Sequence, residues 1–160
     1  MRISVHAIGR LKRGPERELC DRYFERFARA GPPLGLEFAG LREFAEGRAG
    51  DAAARRREEG ERLRKAVEGG QGLILLDETG RNLDSRAFAA MLAGLRDEGV
   101  RDCVVAIGGP DGHDPELRAA ARQVISFGKL TWPHQLARIM LAEQLYRATT
   151  ILAGHPYHRG

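Results

Sequence analysis

Residues 73–107, LILLDETGRNLDSRAFAAMLAGLRDEGVRDCVVAI, decide the fold class of this chain. Residues 73–76 form a continuous apolar run, which is typical of a strand covered on both faces, and residues 102–107 form a second such run. Between them, residues 84–97 have the pattern of a helix whose first residue, an aspartate, is a suitable N-cap. A strand, a helix and a strand in this order predict two parallel strands joined by a crossover.

The same alternation of strand and helix extends to both ends of the chain. Further strands are predicted at residues 2–8, 36–41 and 124–127, and further helices at 15–30, 51–67, 114–122 and in a long C-terminal segment. The helix at 51–67 is predicted to stop at Gly69 and Gly70. No linker rich in proline, glycine or serine divides residues 1–160. We therefore predict one α/β domain, a mostly parallel sheet with helices on both faces.

Composition excludes several classes of protein. The two cysteines, Cys20 and Cys103, lie far apart and neither is spaced with histidine or carboxylate as metal ligands are, so we expect no structural zinc and no disulfide framework. No apolar stretch approaches the length of a membrane span, and the N-terminal apolar run is too short for a signal peptide. We expect a cytoplasmic protein that binds neither membrane nor metal.

Positive charge is concentrated near the N-terminus. Residues 1–31 hold eight Lys or Arg against four Asp or Glu, which accounts for the whole formal net charge of +4. A patch of this kind can bind the phosphates of RNA. A solvated helix face with spare arginines would give the same count, so both interpretations stay open at this point.

Ligands of parallel α/β sheets bind beyond the carboxyl ends of the strands, which directs attention to three segments: residues 76–80, 107–112 and 127–133. The glycine-rich segment IGGPDG lacks the features of a triphosphate loop, because Pro110 has no N–H and Asp111 would repel an anion. Gly108 and Gly109 permit close approach of the backbone to a neutral or cationic small molecule. A tight turn without a ligand is the alternative.

The C-terminal segment 132–160, WPHQLARIMLAEQLYRATTILAGHPYHRG, combines an apolar helix with a polar tail. Leu136, Met140, Glu143 and Arg147 share one face, and the other faces are largely apolar too. A helix that is apolar all round needs cover on more than one side, so we predict a homodimer with this helix at the interface. The tail, residues 155–160, holds two His, a Tyr and an Arg. Such a tail is either a packed functional segment or a short disordered end.

Four motifs together resemble one known family. LLDETG at 75–80, AIGGPDG at 106–112, SFGKLTWPHQLARIMLAEQLYRA at 126–148 and HPYHRG at 155–160 are similar, in order and spacing, to the bacterial ribosomal RNA large subunit methyltransferase H family of the SPOUT class. The resemblance covers essentially the whole chain. It implies a C-terminal trefoil knot, a homodimer, and transfer of methyl from S-adenosylmethionine to N3 of a pseudouridine in 23S rRNA of assembled ribosomes.

The resemblance also assigns residues to the cofactor site. These are residues at the three strand ends noted above: Leu76, Gly108, Phe127, Gly128, Lys129, Leu130, Thr131 and Trp132. This sequence departs from the family pattern at three positions. Trp132 stands where an aliphatic residue is common, Lys129 where a small residue is common, and Gly154 where Asn usually precedes His155.

The chemistry of the implied reaction suggests roles for the tail. N3 of pseudouridine must lose a proton while its two flanking carbonyls gain negative charge. We expect Arg147 and Arg159 to hold those carbonyls or a phosphate, Tyr157 to order the base, and His158 or His155 to accept the proton. Two other functions are kept open: a SPOUT methyltransferase acting on another RNA such as tRNA, and a flavodoxin-like binding module without catalysis.

Overall fold

Five strands alternate with five α-helices over the parts of the chain, residues 1–67 and 72–158, that the computed structural model describes. The strands are β1 (Arg2–Ile8), β2 (Glu37–Phe44), β3 (Leu73–Asn82), β4 (Asp102–Ile107) and β5 (Gln123–Ser126). The helices are α1 (Pro15–Ala30), α2 (Ala52–Ala66), α3 (Ser85–Asp97), α4 (Pro115–Ala120) and α5 (His134–Leu152). A 3-10 turn, Pro32–Leu34, follows α1.

All the strand pairs are parallel, in the spatial order β2-β1-β4-β3-β5. The carboxyl ends of the strands therefore meet at one edge of the sheet. In the register of the central pair, Ala7 of β1 lies opposite Ile107 of β4, and Leu76 of β3 lies opposite Ile107 on the other side. The predicted parallel sheet is confirmed.

Helices cover both faces of this sheet, as predicted. On one face α1, α3 and α5 bury an apolar cluster with alternate residues of the strands, including Ile3, Val5, Phe24, Phe27, Leu92, Leu141 and Leu145. On the other face α2 and α4 bury a smaller cluster that includes Ile8, Leu63, Leu75, Val104, Ala106 and Leu117. Each central strand is thus covered twice, which explains its continuous apolar sequence.

The observed bounds differ from the predicted ones where pairing overrides the sequence pattern. Strand β2 continues to Phe44, three residues beyond the predicted end, because it pairs with β1 as far as Ile8. Strand β3 continues to Asn82, because its polar second half pairs with β5 after an irregularity. Helix α4 ends at Ala120, two residues early, and the predicted stop of α2 at Gly69 and Gly70 lies outside the described residues.

The C-terminal helix packs against α1 and α3 on one face of the sheet. The knot that the family resemblance implies stays a prediction. Among the helices described, none is both long enough and apolar enough to cross a membrane.

Candidate active site

A cavity of about 860 Å3 opens at the carboxyl edge of the sheet. Its walls come from three neighbouring strands and the segments that continue them: residues 76–79 at the irregularity in the middle of β3, residues 107–113 from the end of β4 onward, and most of 126–134 from the end of β5 onward, with Arg118 and Ala137. This volume is within the range of pockets that hold small ligands and cofactors. The three segments singled out from the sequence thus form one site.

Seven of the eight predicted cofactor residues line this cavity. They are Leu76, Gly108, Phe127, Gly128, Leu130, Thr131 and Trp132. The eighth, Lys129, is on the same loop but is exposed and does not contribute to the wall. A lysine side chain at this position extends into solvent rather than toward a cavity built from small and apolar groups.

The glycine-rich loop is held against α2 by close packing and charge. A Cβ on Gly109 would lie 2.8 Å from Glu59 Oε2, so only glycine fits without displacing that buried carboxylate. Arg55 Nε donates to Asp111 Oδ2 over 2.7 Å, and this hydrogen bond holds the pKa of Asp111 below its ordinary value. The loop therefore contributes glycine backbone to the cavity wall, while its one acidic side chain is paired with Arg55.

His113 lines the cavity and was not anticipated from the sequence. Its ring is buried, and Nε2 lies 3.0 Å from the carbonyl oxygen of Leu76, which joins the loop after β4 to the middle of β3. A carbonyl only accepts, so Nε2 carries the hydrogen. Burial lowers the pKa of His113, which keeps the ring neutral at pH 7. A single histidine before a helix gives no sequence signal for this role.

Two neighbouring carboxylates lie in one wall of the cavity. Asp77 Oδ2 is 2.6 Å from Arg118 Nη1, and its Oδ1 accepts from the N–H and hydroxyl of Thr79. Burial pushes the pKa of Asp77 up, but the bonds from Thr79 and Arg118 outweigh it and hold the pKa below its ordinary value. Glu78 Oε2 is 3.4 Å from the Thr131 hydroxyl. Arg118, which also lines the cavity, compensates the charge of Asp77, so Glu78 is the group that favours a cationic over an anionic ligand.

A second cluster joins α5 to the tail. Glu143 Oε1 accepts hydrogen bonds from Arg147 Nε at 2.9 Å, from Arg147 Nη2 at 2.6 Å and from the Tyr157 hydroxyl at 3.1 Å. The Arg147 guanidinium also lies 4.9 Å from the centre of the Tyr157 ring. Tyr157 packs edge to face on Tyr146 as well. The tail is therefore packed through Tyr157, as the functional interpretation of the sequence requires.

The two tail histidines differ in their surroundings. His158 Nδ1 lies 3.5 Å from Arg147 Nη1, at the outer limit of a hydrogen bond. His155 is exposed, and its Nδ1 accepts from the backbone N–H of Tyr157 over 3.1 Å, which closes the turn of the tail. The structure brings Arg147, Tyr157 and His158 together. Arg159 lies outside the described residues.

The tail cluster and the cavity are separate within one chain. None of residues 153–158 lines the cavity. A recess of about 540 Å3 between α1, α3 and α5 includes Glu143 of the tail cluster and shares Ser126 and Phe127 with the cavity. The two halves of the predicted site are thus neighbours on the surface without being joined.

This chain is similar to known proteins over almost its whole length. A family model described as "Predicted SPOUT methyltransferase" matches residues 1–158. A protein of Brucella anthropi named "Ribosomal RNA large subunit methyltransferase H" is 62% identical over 159 residues, covering 99% of both chains. Proteins of the same name from Mesorhizobium japonicum and Brucella abortus strain S19 are 62% and 60% identical, again over 99% of both chains. In the parts of the chain that are described, no group of three or more His, Cys, Asp or Glu could hold a metal ion.

Proposed function

Because this chain belongs to the SPOUT methyltransferase family, we propose that it transfers methyl from S-adenosylmethionine to N3 of a pseudouridine in 23S rRNA of assembled ribosomes. The observation that carries the proposal is the cavity at the carboxyl edge, lined by seven of the eight residues that the resemblance assigns to the cofactor. The name that these relatives share, at 60–62% identity to this chain, supports ribosomal RNA as substrate. This substrate also implies a cytoplasmic location.

The groups around the cavity fit this methyl donor. Leu76, Ile107, Leu130 and Trp132 offer apolar surface to a flat base, and the glycines leave main-chain groups accessible. Glu78 supplies negative charge beside a ligand that carries an ammonium and a sulfonium, whereas the charge of Asp77 is compensated by Arg118. When bound, S-adenosylmethionine supplies an electrophilic methyl group. The protein has to place the acceptor nitrogen and manage its proton.

Arg147 is proposed to stabilise charge on the reacting base. As N3 loses its proton, the two flanking carbonyl oxygens gain negative charge, and guanidinium N–H groups are suitable donors to them. Arg147 is about three-quarters buried and already oriented by Glu143. We propose the same role, or binding of a phosphate, for Arg159.

Tyr157 and His158 are proposed to order the base and accept its proton. Burial, with the Tyr23 hydroxyl and the Glu143 carboxylate, raises the pKa of Tyr157, so the phenol stays protonated and acts as a donor or a stacking surface. His158 Nδ1 is held only loosely by Arg147, at 3.5 Å. When Arg147 turns to the substrate, that nitrogen is released to take the N3 proton. His155, whose Nδ1 is used within the tail, is the second candidate.

A homodimer is proposed to join the two halves of the site. The recess beside α5 is lined largely by apolar side chains, and Leu19 and Leu136 are each about two-fifths exposed next to it. A second copy would cover this surface, and the tail of one protomer could then close the cavity of the other. This arrangement explains why none of residues 153–158 lines the cavity of its own chain.

The decisive experiment is transfer of tritium from labelled S-adenosylmethionine to ribosomes from cells that lack the enzyme, with mapping of the modified base. We expect label at N3 of one pseudouridine. His158→Ala should lower the rate by about 100-fold or more, as is usual when an acid–base group is removed. Label on free tRNA instead would favour another RNA substrate. Donor binding is followed separately by the fluorescence emission of Trp132, the only tryptophan in the sequence. If the chain bound no donor, the result would favour a non-catalytic binding module.

A further inference from the structure

The loop between β1 and α1 carries three cationic side chains, Arg10, Lys12 and Arg13, which we call the basic loop. We propose that the basic loop is a rigid docking surface for RNA phosphates beside the methyl-donor cavity. The proposal rests on the proposed function, because it assigns a surface to the RNA whose base enters that cavity.

The basic loop lies at the same edge of the sheet as the cavity. It follows β1, whose neighbour β4 ends at Ile107 in the cavity wall, and Ala7 lies opposite Ile107. The start of the loop lies against the cavity wall. His134 lines the cavity, and a Cβ on Gly9 would lie 3.7 Å from its Cε1. A nucleotide whose base reaches the cavity would therefore bring its flanking phosphates close to this loop.

A buried arginine fixes the backbone at the start of the basic loop. Arg138 of α5 is fully buried, and its Nη2 donates to the carbonyl oxygens of Gly9 at 2.7 Å and of Ile8 at 3.2 Å. A buried guanidinium is costly unless its charge is compensated; within residues 1–67 and 72–158, Nε and Nη1 of Arg138 form no hydrogen bond, so Nη2 alone makes the hydrogen bonds to the loop. Arg138 directly follows Ala137, which lines the cavity. The same arginine therefore connects the loop to the cavity wall.

Glu43 completes this support. Its Oε2 lies 3.3 Å from Arg138 Nη1 and accepts from the backbone N–H of Leu11 over 2.7 Å. Arg17 Nη1 donates to the carbonyl oxygen of Leu11 over 2.9 Å. The side chain of Leu11 is itself buried between the exposed cations. The loop backbone is thus held from both sides, and the three cations project from a fixed base.

The three cations of the basic loop are free to bind an external anion. Arg10, Lys12 and Arg13 are exposed, and none forms an ion pair with any residue in 1–67 or 72–158. By contrast, the nearby Arg17 is paired with Glu43. Glu46 adds one negative charge beside Gly9, and exposed Arg48 follows it on the next loop along the same edge.

An RNA backbone fits this arrangement better than an acidic protein does. Three long cationic side chains on a fixed backbone can each reach a different phosphate, and such contacts position a nucleic acid without reading its sequence. The adjacent cavity, moreover, is the site proposed for the methyl donor, which a base of an RNA bound at this loop would approach. Binding should therefore depend on salt, with each phosphate contact contributing to the slope.

The test compares two triple variants with equal loss of charge. One is Arg10→Gln, Lys12→Gln and Arg13→Gln; the control, at the opposite edge of the sheet and the end of α1, is Arg2→Gln, Arg29→Gln and Arg101→Gln. Equilibrium binding to purified ribosomes and to deproteinised 23S rRNA is measured across a salt series, with methylation kinetics on ribosomes. Donor binding, read by Trp132 emission, checks that each variant retains its fold and its cavity.

We expect the loop variant to bind ribosomes and deproteinised rRNA about tenfold or more weakly, with the salt slope reduced by about two. KM for ribosomes should rise while kcat and donor affinity stay within about twofold of wild type. Any of three results would overturn the proposal. These are an equal loss of affinity in the control variant, wild-type RNA affinity in the loop variant, or a loss of affinity seen with ribosomes and absent with deproteinised rRNA. If wild type binds ribosomes through this loop yet methylates none, the proposed function fails and the docking surface stands.

Discussion

The hydroxyl of Tyr157 donates to Glu143 Oε1 over 3.1 Å, so a residue of the tail is tied to a carboxylate in the middle of α5. The same oxygen accepts from Arg147. The orientation of Arg147 and the position of the tail therefore depend on one another. Displacing either of them changes the site that the proposed reaction needs.

Removing the Tyr157 hydroxyl should slow methyl transfer without weakening the binding of the methyl donor. Tyr157→Phe loses a hydrogen bond to a charged group, worth roughly 1.5–3 kcal/mol, so the single-turnover rate on ribosomes should fall by about 10- to 100-fold. Donor affinity from Trp132 emission should not change, because Tyr157 does not line the cavity. Tyr146→Phe, which removes a hydroxyl from the neighbouring ring, is the matched control. Equal rates for Tyr157→Phe and wild type would exclude a role for this hydroxyl.

Gly109→Ala should destabilise the protein and weaken donor binding. The new Cβ would lie 2.8 and 3.0 Å from the two carboxylate oxygens of the buried Glu59, whose Oε1 is held by the backbone N–H of Gly47 over 2.8 Å, and 3.1 Å from Cγ2 of Ile8. Overpacking of this kind costs about 1–3 kcal/mol and should displace the loop that forms the cavity wall. Gly94→Ala, in α3 with open space around it, should instead stabilise the fold by about 0.5–1 kcal/mol. Urea unfolding and donor titration measure both effects, and unchanged donor affinity in Gly109→Ala would contradict this picture of the wall.

His113 should make stability depend on pH on the acidic side of neutrality. Burial lowers the pKa of His113 from 6.5, so the unfolded chain binds a proton that the native chain rejects. The contribution of the neutral His113 ring to stability should be complete above pH 6.5. The free energy of unfolding should decrease as the pH falls below 6.5. His113→Asn keeps a donor but does not titrate, so its stability should fall less between pH 7 and pH 5. His6, whose pKa burial also lowers, accounts for part of the remaining slope.

Urea unfolding at a series of pH values measures the contribution of His113. His155→Asn, on the exposed tail, serves as control. The pH dependence of His113→Asn should be shallower than that of wild type and of the control. Parallel curves for all three proteins would show that His113 is not held neutral in the native state.

Two inactive subunits should restore activity when mixed, if the tail of one closes the cavity of the other. Leu76→Trp fills the cavity and leaves the tail intact, whereas deletion of residues 153–160 leaves the cavity and removes the tail. In a mixed dimer, one of the two sites then combines an intact cavity with an intact tail. Random pairing should give about a quarter of wild-type activity.

The mixing experiment is decided by rates on ribosomes. Each variant alone should be dimeric by sedimentation and inactive, and the mixture after co-refolding should be active. If each tail served its own cavity, the mixture would stay inactive although mixed dimers form.

The sequence was sufficient for the architecture and for the parts of the site that follow local rules. Apolar runs at residues 73–76 and 102–107 specify strands covered on both faces, and the order of strands and helices specifies a parallel sheet. A parallel sheet brings all carboxyl ends to one edge, so the sequence alone groups the residues after Leu76, Ile107 and Ser126 as one site. The motifs of the tail further indicated the family.

Only the tertiary structure showed which distant side chains meet. His113 reaches the carbonyl of Leu76 across 37 residues, and Arg138 reaches that of Gly9 across 129, in contacts that no periodicity encodes. The structure also separated the tail cluster from the cavity of its own chain and left Lys129 in solvent. The physical reason is that strand and helix patterns depend on neighbours within a few residues, whereas these hydrogen bonds depend on how whole elements pack.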